Sequence, residues 1–278
     1  MKFIYLIVCI FLFKGIFFSQ NEKILEKFKN YPFNDTTIII SNVKVDFLFP
    51  KSELKGTILV LPGWNFERND ICKKSNFCEL ARNNGYILVM PDMKKSIYIK
   101  ELFPETRTDW RSYPTLLWLT DTMIPWIQQH FKILMSKQKN FLFGISTGAR
   151  GVAMISLYSD NIFLAGACLS GDYNQVEMKN DNLVRGYCGD FDKFPDRWNG
   201  VDNPSKNASK LKIPLFLAHG KEDNIVPFSQ TTDFFTKIVK LNPDLGHEID
   251  IKENSGHNYE FWSLEYEAVF IFFETHSR

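Results

Sequence analysis

The sequence predicts an α/β fold in which a mostly parallel β-sheet is covered by helices on both faces. Short apolar segments with the length of strands alternate with longer segments that carry apolar residues at helical spacing. The strand-like segments are apolar along most of their length, which is typical of strands buried in a parallel sheet. No internal repeat, low-complexity tract or linker interrupts the pattern, so we expect one domain.

The first half of the chain supplies four predicted strands and two predicted helices. Residues 37–50 form two adjoining strands separated near Asn42. TILVL at 57–61 ends in Pro62-Gly63 and YILVM at 86–90 ends in Pro91-Asp92, and such residues stop a strand. The helices are predicted over 69–83 and 113–131, the second from a set of apolar residues at helical spacing: Leu116, Leu117, Leu119, Met123, Ile124, Ile127 and Phe131.

The second half repeats the alternation and completes the sheet. The predicted strands are 140–143, 163–169, 213–217 and 247–252, and the predicted helices are 147–158, 228–240 and 259–274. In parallel sheets the catalytic and ligand-binding residues lie at the carboxyl ends of the strands. We therefore search for functional residues just after each strand.

The composition excludes several classes of protein. With 45% apolar and 23% charged residues, the chain is neither disordered, collagen-like nor a coiled coil. Thirty-three Lys and Arg residues against 32 Asp and Glu residues leave a net charge of +1. No charge excess indicates a nucleic acid or an anionic membrane surface as a partner.

Residues 1–19 are predicted to be a secretory signal peptide that does not belong to the fold. Lys2 provides a positive charge, and the apolar run from Phe3 to Phe13 is eleven residues long. This length fits a signal sequence, because a membrane-spanning helix needs about 20 residues. We expect cleavage near Ser19 or Gln20 and a secreted or periplasmic protein. The alternative is a retained signal anchor, the one case in which we expect contact with a membrane.

Four cysteines follow the signal segment, and an exported protein can form disulfides with them. On a regular helix, Cys72 and Cys78 would lie about 9 Å apart along the axis, too far for a disulfide. They can pair only where that segment is partly non-helical. Cys168 lies in an apolar run, which favours a buried, reduced thiol. The spacings do not resemble a zinc site, so we predict no metal and no cofactor.

The motif that carries chemistry is Gly-Ile-Ser-Thr-Gly at 144–148, directly between a predicted strand and a predicted helix. A G-x-S-x-G sequence at such a junction forms a strained turn that exposes a nucleophilic serine above the sheet. The two glycines are needed because a Cβ at either position would collide with neighbouring backbone. Ser146 is therefore the predicted nucleophile.

A serine nucleophile needs a base and an acid that orients the base. His257 follows the last predicted strand, and Asp223 follows the strand IPLFL within the stretch HGKEDNIVP. The chain order Ser146, Asp223, His257 is the one expected of α/β-hydrolases. Glu222 is the alternative acid. His219 is predicted to brace the loop of Asp223, and the remaining histidines, His130, His247 and His276, are predicted to be structural or solvated.

The oxyanion that forms during acyl transfer requires two backbone donors. The helix after the nucleophile aims its positive end and the Thr147 amide at this oxygen. The second donor should come from the loop after TILVL, where the Trp64 amide is the candidate. The Trp64 indole is predicted to contact the substrate, and a core position is the alternative for this side chain.

These residues resemble the α/β-hydrolase superfamily over roughly residues 55–275. Within it the chain is similar to the esterase family that includes S-formylglutathione hydrolases, feruloyl esterases and mycolyltransferases. The resemblance depends on GISTG and HGKEDNIVP, on LTDTMIPWIQQHF, and on the stretches LSGDY and GHNYEFW. It implies an α/β-hydrolase fold with a mostly parallel central sheet. That family usually carries two glycines after its serine motif, whereas here Gly148 is followed by Ala149-Arg150-Gly151. The chain also has Pro62 where relatives often have His.

Residues 172–212, between two predicted strands, form an insertion that is rich in Asp, Asn, Gly and aromatic residues. Long connections in compact domains are usually functional. In this fold the position lies over the active site, so we expect a small cap. Four aromatic residues are candidates for the substrate wall, with ordinary packing as the alternative: Tyr173, Phe191, Phe194 and Trp198.

The sequence therefore predicts a secreted serine hydrolase that cleaves carboxylic esters through an acyl-enzyme on Ser146. The expected substrate is a small-molecule or carbohydrate-linked ester. An acyltransferase with the same triad and a serine peptidase of the same fold remain alternatives, as does a binding module on an inactive hydrolase scaffold. The complete triad argues against the binding module.

Overall fold

A computed structural model describes residues 36–158 and 161–277. Within these two segments, eight strands form one sheet in the order β1-β2-β4-β3-β5-β6-β7-β8. Strand β2 is antiparallel to both of its neighbours, β1 and β4. The other neighbouring strands in the sheet are parallel to each other. The predicted α/β-hydrolase fold is thereby confirmed. The predicted signal peptide, residues 1–19, lies outside the described residues.

The strands lie close to their predicted positions. They are β1 Thr36–Ile40, β2 Val43–Leu48, β3 Gly56–Leu61, β4 Tyr86–Pro91, β5 Asn140–Ile145, β6 Ala165–Leu169, β7 Leu215–Gly220 and β8 Glu248–Lys252. The α-helices are α1 Asp70–Lys74, α2 Phe77–Asn83, α3 Ile124–Phe131, α4 Thr147–Tyr158, α5 Asn182–Cys188, α6 Pro195–Trp198, α7 Ser229–Leu241, α8 Tyr259–Leu264 and α9 Tyr266–Thr275.

The helix predicted over 69–83 is two short helices joined at Ser75 and Asn76. Ser75 adopts an extended conformation, with φ −154° and ψ 173°. This break brings the Cα atoms of Cys72 and Cys78 to 5.1 Å, and the two residues form a disulfide. The two cysteines can therefore pair because the segment between them is partly non-helical, as the sequence analysis requires.

Two other predicted helices are also subdivided. The segment predicted over 113–131 begins with a π-helical turn, Trp118–Met123, that continues directly into α3. The predicted C-terminal helix divides at Glu265 into α8 and α9. Periodicity located these elements correctly but did not reveal the irregular turns within them.

The sheet is covered on both faces by separate apolar clusters. One cluster packs α3, α4 and α7 against one face, and the other packs α2, α8 and α9 against the opposite face. Aromatic pairs dominate the second cluster: the ring centroids of Phe77 and Phe143 are 4.1 Å apart, and those of Phe141 and Phe273 are 4.6 Å apart. Burial of each such ring stabilises the fold by about 1.5–3 kcal/mol.

The insertion between β6 and β7 contains α5 and α6 and two 3₁₀ turns, Gln175–Met178 and Ala208–Lys210. It has its own apolar cluster, in which Trp198 and Tyr187 pack near Trp110 and Ile97. Cys188 in this insertion and Cys168 in β6 are both buried and reduced. Within the described segments, none of the helices combines the length and apolarity needed to cross a membrane.

Arg150 connects the insertion to helix α4 and to the loop after β4 through buried hydrogen bonds. Its side chain is fully buried on α4, where it pairs with Asp172 at 2.9 Å. The guanidinium also donates to the carbonyl of Ile97 at 2.9 Å and to the carbonyl of Asp202. Arg150, which lies in the stretch where the chain departs from the related family, thus joins three loops at the carboxyl edge of the sheet.

Candidate active site

The Ser146 nucleophile lies in the strained turn that the motif predicts. It has φ +55°, a left-handed conformation that non-glycine residues rarely adopt, and its amide donates to the Leu169 carbonyl at 2.8 Å. A Cβ on Gly144 would lie 2.2 Å from the Gly148 carbonyl oxygen, and one on Gly148 would lie 2.0 Å from the Leu61 carbonyl oxygen. Both glycines are therefore required by the close approach of three backbone segments.

His257 connects the nucleophile to the acid. Its Nε2 lies 2.9 Å from Ser146 Oγ, and its Nδ1 lies 2.6 Å from Asp223 Oδ2. Asn258 holds the loop by capping α8 through a bond from the Phe261 amide. The Trp262 ring meets the imidazole edge to face at 5.3 Å, and Trp262 Nε1 donates to Ser170 Oγ. Trp262, itself held by Ser170, thus fixes the position of the His257 imidazole on the side away from solvent.

Asp223 is surrounded by hydrogen-bond donors. Oδ1 accepts from the amides of Ile225 and Val226 at 2.9 and 2.8 Å. Oδ2 accepts from His257 and lies 3.0 Å from Nε2 of His219. Burial by itself would raise the pKa of this carboxyl, but the bonds from His219 and His257 hold the pKa well below its usual range. Asp223 is therefore ionised at neutral pH.

The structure places His219 as the sequence predicts, behind the acid. Its side chain is fully buried, with Nε2 also 3.0 Å from the Val226 carbonyl and Nδ1 2.7 Å from Thr231 Oγ1. It is too enclosed to act as a base on a substrate. Glu222, the alternative acid, is exposed and does not contact His257, so the geometry favours Asp223.

The other histidines take part in structural contacts away from the triad. His130 stacks on Trp126 with ring centroids 4.0 Å apart. His247 accepts a bond from the Leu215 amide, and burial lowers its pKa to about 4, so it is neutral. The His276 ring packs against Phe272 at the end of α9, with centroids 4.4 Å apart and the ring planes tilted by 51°.

The two predicted oxyanion donors belong to segments that lie next to the nucleophile. Thr147 is the first residue of α4, where helix amides have no partner within the helix, and the Trp64 amide makes no hydrogen bond within the described residues. A Cβ on Gly63 would lie 3.1 Å from the Ser146 Cβ, so the loop of Trp64 passes directly beside the nucleophile. This arrangement is compatible with an oxyanion hole formed by these two amides.

The sequence analysis missed Tyr98, which holds the oxyanion loop. Its hydroxyl donates to the Pro62 carbonyl at 2.7 Å, and the whole side chain is buried. A Cβ on Gly151 would lie 2.6 Å from the tyrosine ring, so this glycine of α4 makes room for it. Gly151, directly after GISTGAR, is the sequence feature that could have indicated a close contact at this position. The residue that it contacts, Tyr98, lies about fifty residues earlier in the chain.

Trp64 contacts a cavity, whereas Tyr173 does not. The Trp64 indole is half-buried, packs edge to face on Trp110 at 4.8 Å, and lines an open cavity of about 530 Å³. The prediction that Tyr173 contacts the substrate is corrected, because its side chain is fully buried and stacks on Phe234 at 4.4 Å. It belongs to the core under α7.

The other predicted wall residues lie elsewhere in the insertion. Trp198 is buried and donates through Nε1 to the Gly189 carbonyl, which makes it a packing residue. Phe191 and Phe194 are partly exposed but are covered by cations, Lys179 and Arg197 respectively. Among the residues that the structure describes, no group of three or more His, Cys, Asp or Glu side chains could hold a metal ion.

Solved structures of known hydrolases share this fold. The S-formylglutathione hydrolase of Agrobacterium tumefaciens superposes with a TM-score of 0.70 at 16% identity, over 90% of this chain and 98% of that chain. The fluorophosphonate-binding serine hydrolase F of Staphylococcus aureus gives 0.67 at 14% identity, over 88% and 98%. An acylaminoacyl peptidase of Pyrococcus horikoshii gives 0.67 at 16% identity, over 90% of this chain but 43% of that chain.

The sequence comparisons name the family. No curated protein matches the chain significantly. The model of the prolyl oligopeptidase family matches residues 78–278, a range that contains the nucleophile elbow, the acid and the base. Together with the fold, this match identifies a serine hydrolase that is esterase-like or peptidase-like. The chain belongs to the prolyl oligopeptidase family and has the α/β-hydrolase fold.

Proposed function

We propose that the protein hydrolyses carboxylic esters through an acyl-enzyme on Ser146. The observation that carries the proposal is the continuous chain of hydrogen bonds from Ser146 through His257 to Asp223, at 2.9 and 2.6 Å. This is the arrangement that converts a serine hydroxyl into a nucleophile. Ser146 itself is only 7% exposed, so a substrate must enter a shaped site to reach it.

The proposed reaction proceeds in the steps expected of a serine triad. Ser146 Oγ attacks the ester carbonyl carbon while His257 Nε2 accepts the hydroxyl proton. The amides of Thr147 and Trp64 stabilise the resulting oxyanion. Collapse of the intermediate breaks the bond to the alcohol oxygen, and His257 gives that oxygen the proton. A water molecule then attacks the acyl-enzyme by the same sequence, which releases the acid and regenerates Ser146.

The surroundings of the site favour an ester over a peptide with a free amino terminus, which needs carboxylates free to pair with its ammonium group. The insertion carries seven acidic residues: Asp172, Glu177, Asp181, Asp190, Asp192, Asp196 and Asp202. Asp202 accepts from the Lys100 amide at 2.6 Å. Asp172 is paired with Arg150, and Asp181 caps α5 through bonds from two backbone amides. Glu177 accepts from Asn174. An amine leaving group must also be protonated as it departs, which makes amide cleavage more demanding.

A substrate panel tests the proposal. We expect short-chain nitrophenyl and hydroxycinnamoyl esters to be cleaved with a kcat/KM well above that for aminoacyl and dipeptidyl anilides. Ser146→Ala is the control and should remove both ester cleavage and covalent labelling by a fluorophosphonate. Comparable or higher turnover of the anilides would contradict the proposal and support a peptidase. Analysis of products with and without an added alcohol separates hydrolysis from acyl transfer.

We also propose that the protein is exported. The apolar run from Phe3 to Phe13 supports export, and so does the Cys72–Cys78 disulfide, since disulfides persist in oxidising compartments. Mass spectrometry of protein recovered outside the cytoplasm tests the proposal. An N-terminus near Ser19 or Gln20 is expected, and an intact Met1 would instead indicate a retained anchor.

A further inference from the structure

The cavity beside Trp64 has a lining that the triad does not explain. One wall is the loop that follows β4, with Lys95, Arg107 and Trp110, and the other is α5, with Arg185. Neither Ser146 nor His257 lines the cavity. Trp64 joins the two sites, because it directly follows Gly63, which lies beside Ser146, and Trp64 lines the cavity.

The walls of the cavity are held rigidly together. A Cβ on Gly186 would lie 2.1 Å from the Trp110 ring, so α5 packs directly on this tryptophan. The Arg107 amide donates to the Gly186 carbonyl at 2.8 Å, and the Arg107 guanidinium lies 4.5 Å from the Trp110 ring centre. The Tyr187 hydroxyl donates to the Lys95 carbonyl at 2.7 Å. These contacts fix the two walls relative to each other, and the lining between them combines the aromatic residues Trp64 and Trp110 with Lys95, Arg107 and Arg185.

The charges of the cavity are unbalanced. Its one carboxylate, Glu105, is already paired with Arg197, and Arg107 is paired with Asp109 at 3.0 Å. Lys95 and Arg185 have no acidic partner within 4.0 Å among the residues that the structure describes. These two cations therefore form no ion pair with a protein carboxylate, although Asp109, the partner of Arg107, also attracts Lys95.

We propose that this cavity binds a negatively charged group of the substrate, such as a carboxylate, through Lys95 and Arg185. The inference rests on the proposed ester hydrolysis at Ser146 and names its substrate class: esters whose acyl part or alcohol part carries an anion. Arginine and lysine bind carboxylates through charge-assisted hydrogen bonds. Trp64 and Trp110 contact the apolar portion that connects this anion to the scissile carbonyl.

Two isosteric pairs of esters test the charge preference and locate the anion. The acyl arm compares 4-nitrophenyl hydrogen adipate with its methyl ester. The leaving-group arm compares 3-carboxy-4-nitrophenyl acetate with its methyl ester. Because a hydrogen bond to a charged group is stronger than a neutral one, we expect the charged member to have at least about a tenfold higher kcat/KM in one arm. The preference should fall as salt is raised.

The variant Lys95→Gln/Arg185→Gln isolates the two cations. We expect the ratio of kcat/KM for the charged and neutral esters to fall by at least about tenfold. Using a ratio removes any general loss of activity or folding. Lys240→Gln, at an exposed position on α7, is the control and should leave the ratio unchanged. Equal rates on both members of each pair in the wild type, or an unchanged ratio in the double variant, would overturn the inference.

A second probe separates failure of this inference from failure of the proposed function. If the wild type cleaves no ester, ester hydrolysis is refuted, and the rate of Ser146 labelling then reports the charge preference. The comparison uses a fluorophosphonate with a terminal carboxylate and its methyl ester. Faster labelling by the carboxylate, lost in Lys95→Gln/Arg185→Gln, supports the anion site. Equal labelling rates refute it.

Discussion

The substitution Asp223→Asn should abolish most activity, because the carboxylate of Asp223 accepts hydrogen bonds on both oxygens and an asparagine can accept on only one. The donors are two backbone amides and the side chains of His219 and His257. An asparagine has one acceptor oxygen, and its amide nitrogen is a donor. If the oxygen keeps the bonds from the Ile225 and Val226 amides, the amide nitrogen faces both histidines. His219 tolerates this orientation, because its Nε2 also lies 3.0 Å from the Val226 carbonyl. His257 has no such alternative and must place its proton on Nε2.

The magnitude follows from that tautomer. With a proton on Nε2, His257 cannot accept the proton of Ser146, and a loss of up to about 10⁴-fold in kcat is expected. This corresponds to about 5 kcal/mol of transition-state stabilisation. The opposite amide orientation would set two donors against two backbone amides, at about 1–3 kcal/mol for each unsatisfied group. The first orientation is therefore preferred, and the fold should lose little stability.

The assay measures kcat/KM on a nitrophenyl ester together with the melting temperature. Glu222→Gln is the matched control: Glu222 is adjacent and exposed, and its side chain does not contact the triad, so this variant should stay within about twofold of the wild type. A loss for Asp223→Asn no larger than that of Glu222→Gln would move the acid role to another residue. A large fall in melting temperature would show that the amide had adopted the opposite orientation.

Three further predictions concern the support of the site. Tyr98→Phe removes the donor to the buried Pro62 carbonyl, and kcat should fall by roughly tenfold with a smaller change in KM, as measured by steady-state ester hydrolysis; unchanged kcat would show that the loop is held without it. Arg150→Met leaves its buried carboxylate partner uncompensated and should lower the free energy of unfolding in urea by about 3–5 kcal/mol; a loss below about 1 kcal/mol would contradict the buried pair. Cys72→Ser with Cys78→Ser opens a short loop and should lower the free energy of unfolding by about 2 kcal/mol without changing kcat, whereas an unchanged stability would argue against the disulfide.

Much of the fold could be predicted because its strands are continuous apolar runs. Strands buried on both faces need apolar residues at nearly every position, so segments such as TILVL and YILVM stand out from the sequence. The elbow was equally clear, because the close backbone contacts at Gly144 and Gly148 admit only glycine. The positions of Asp223 and His257 followed from the rule that functional residues lie after parallel strands.

The supporting residues could not be predicted because their roles depend on partners that are distant in sequence. Arg150 was visible as a departure from related sequences, but its burial depends on Asp172 and on backbone carbonyls of two other loops. Tyr173 was proposed as a substrate contact because it lies in the insertion. Its position under α7 is set by packing against Phe234, about sixty residues later. Composition alone does not distinguish a wall residue from a core residue.

Helix α4 positions the candidate oxyanion donors as well as the nucleophile. Gly148 lets the helix approach the Leu61 carbonyl, and Gly151, one turn later, makes room for the Tyr98 ring that holds Pro62. These contacts set the separation between the two candidate donor amides, which belong to α4 and to the loop after β3. A displacement of 1 Å at a reacting centre can cost about 100-fold in rate. A side chain at Gly151 would displace Tyr98, so this glycine controls the geometry of the site from outside the serine motif.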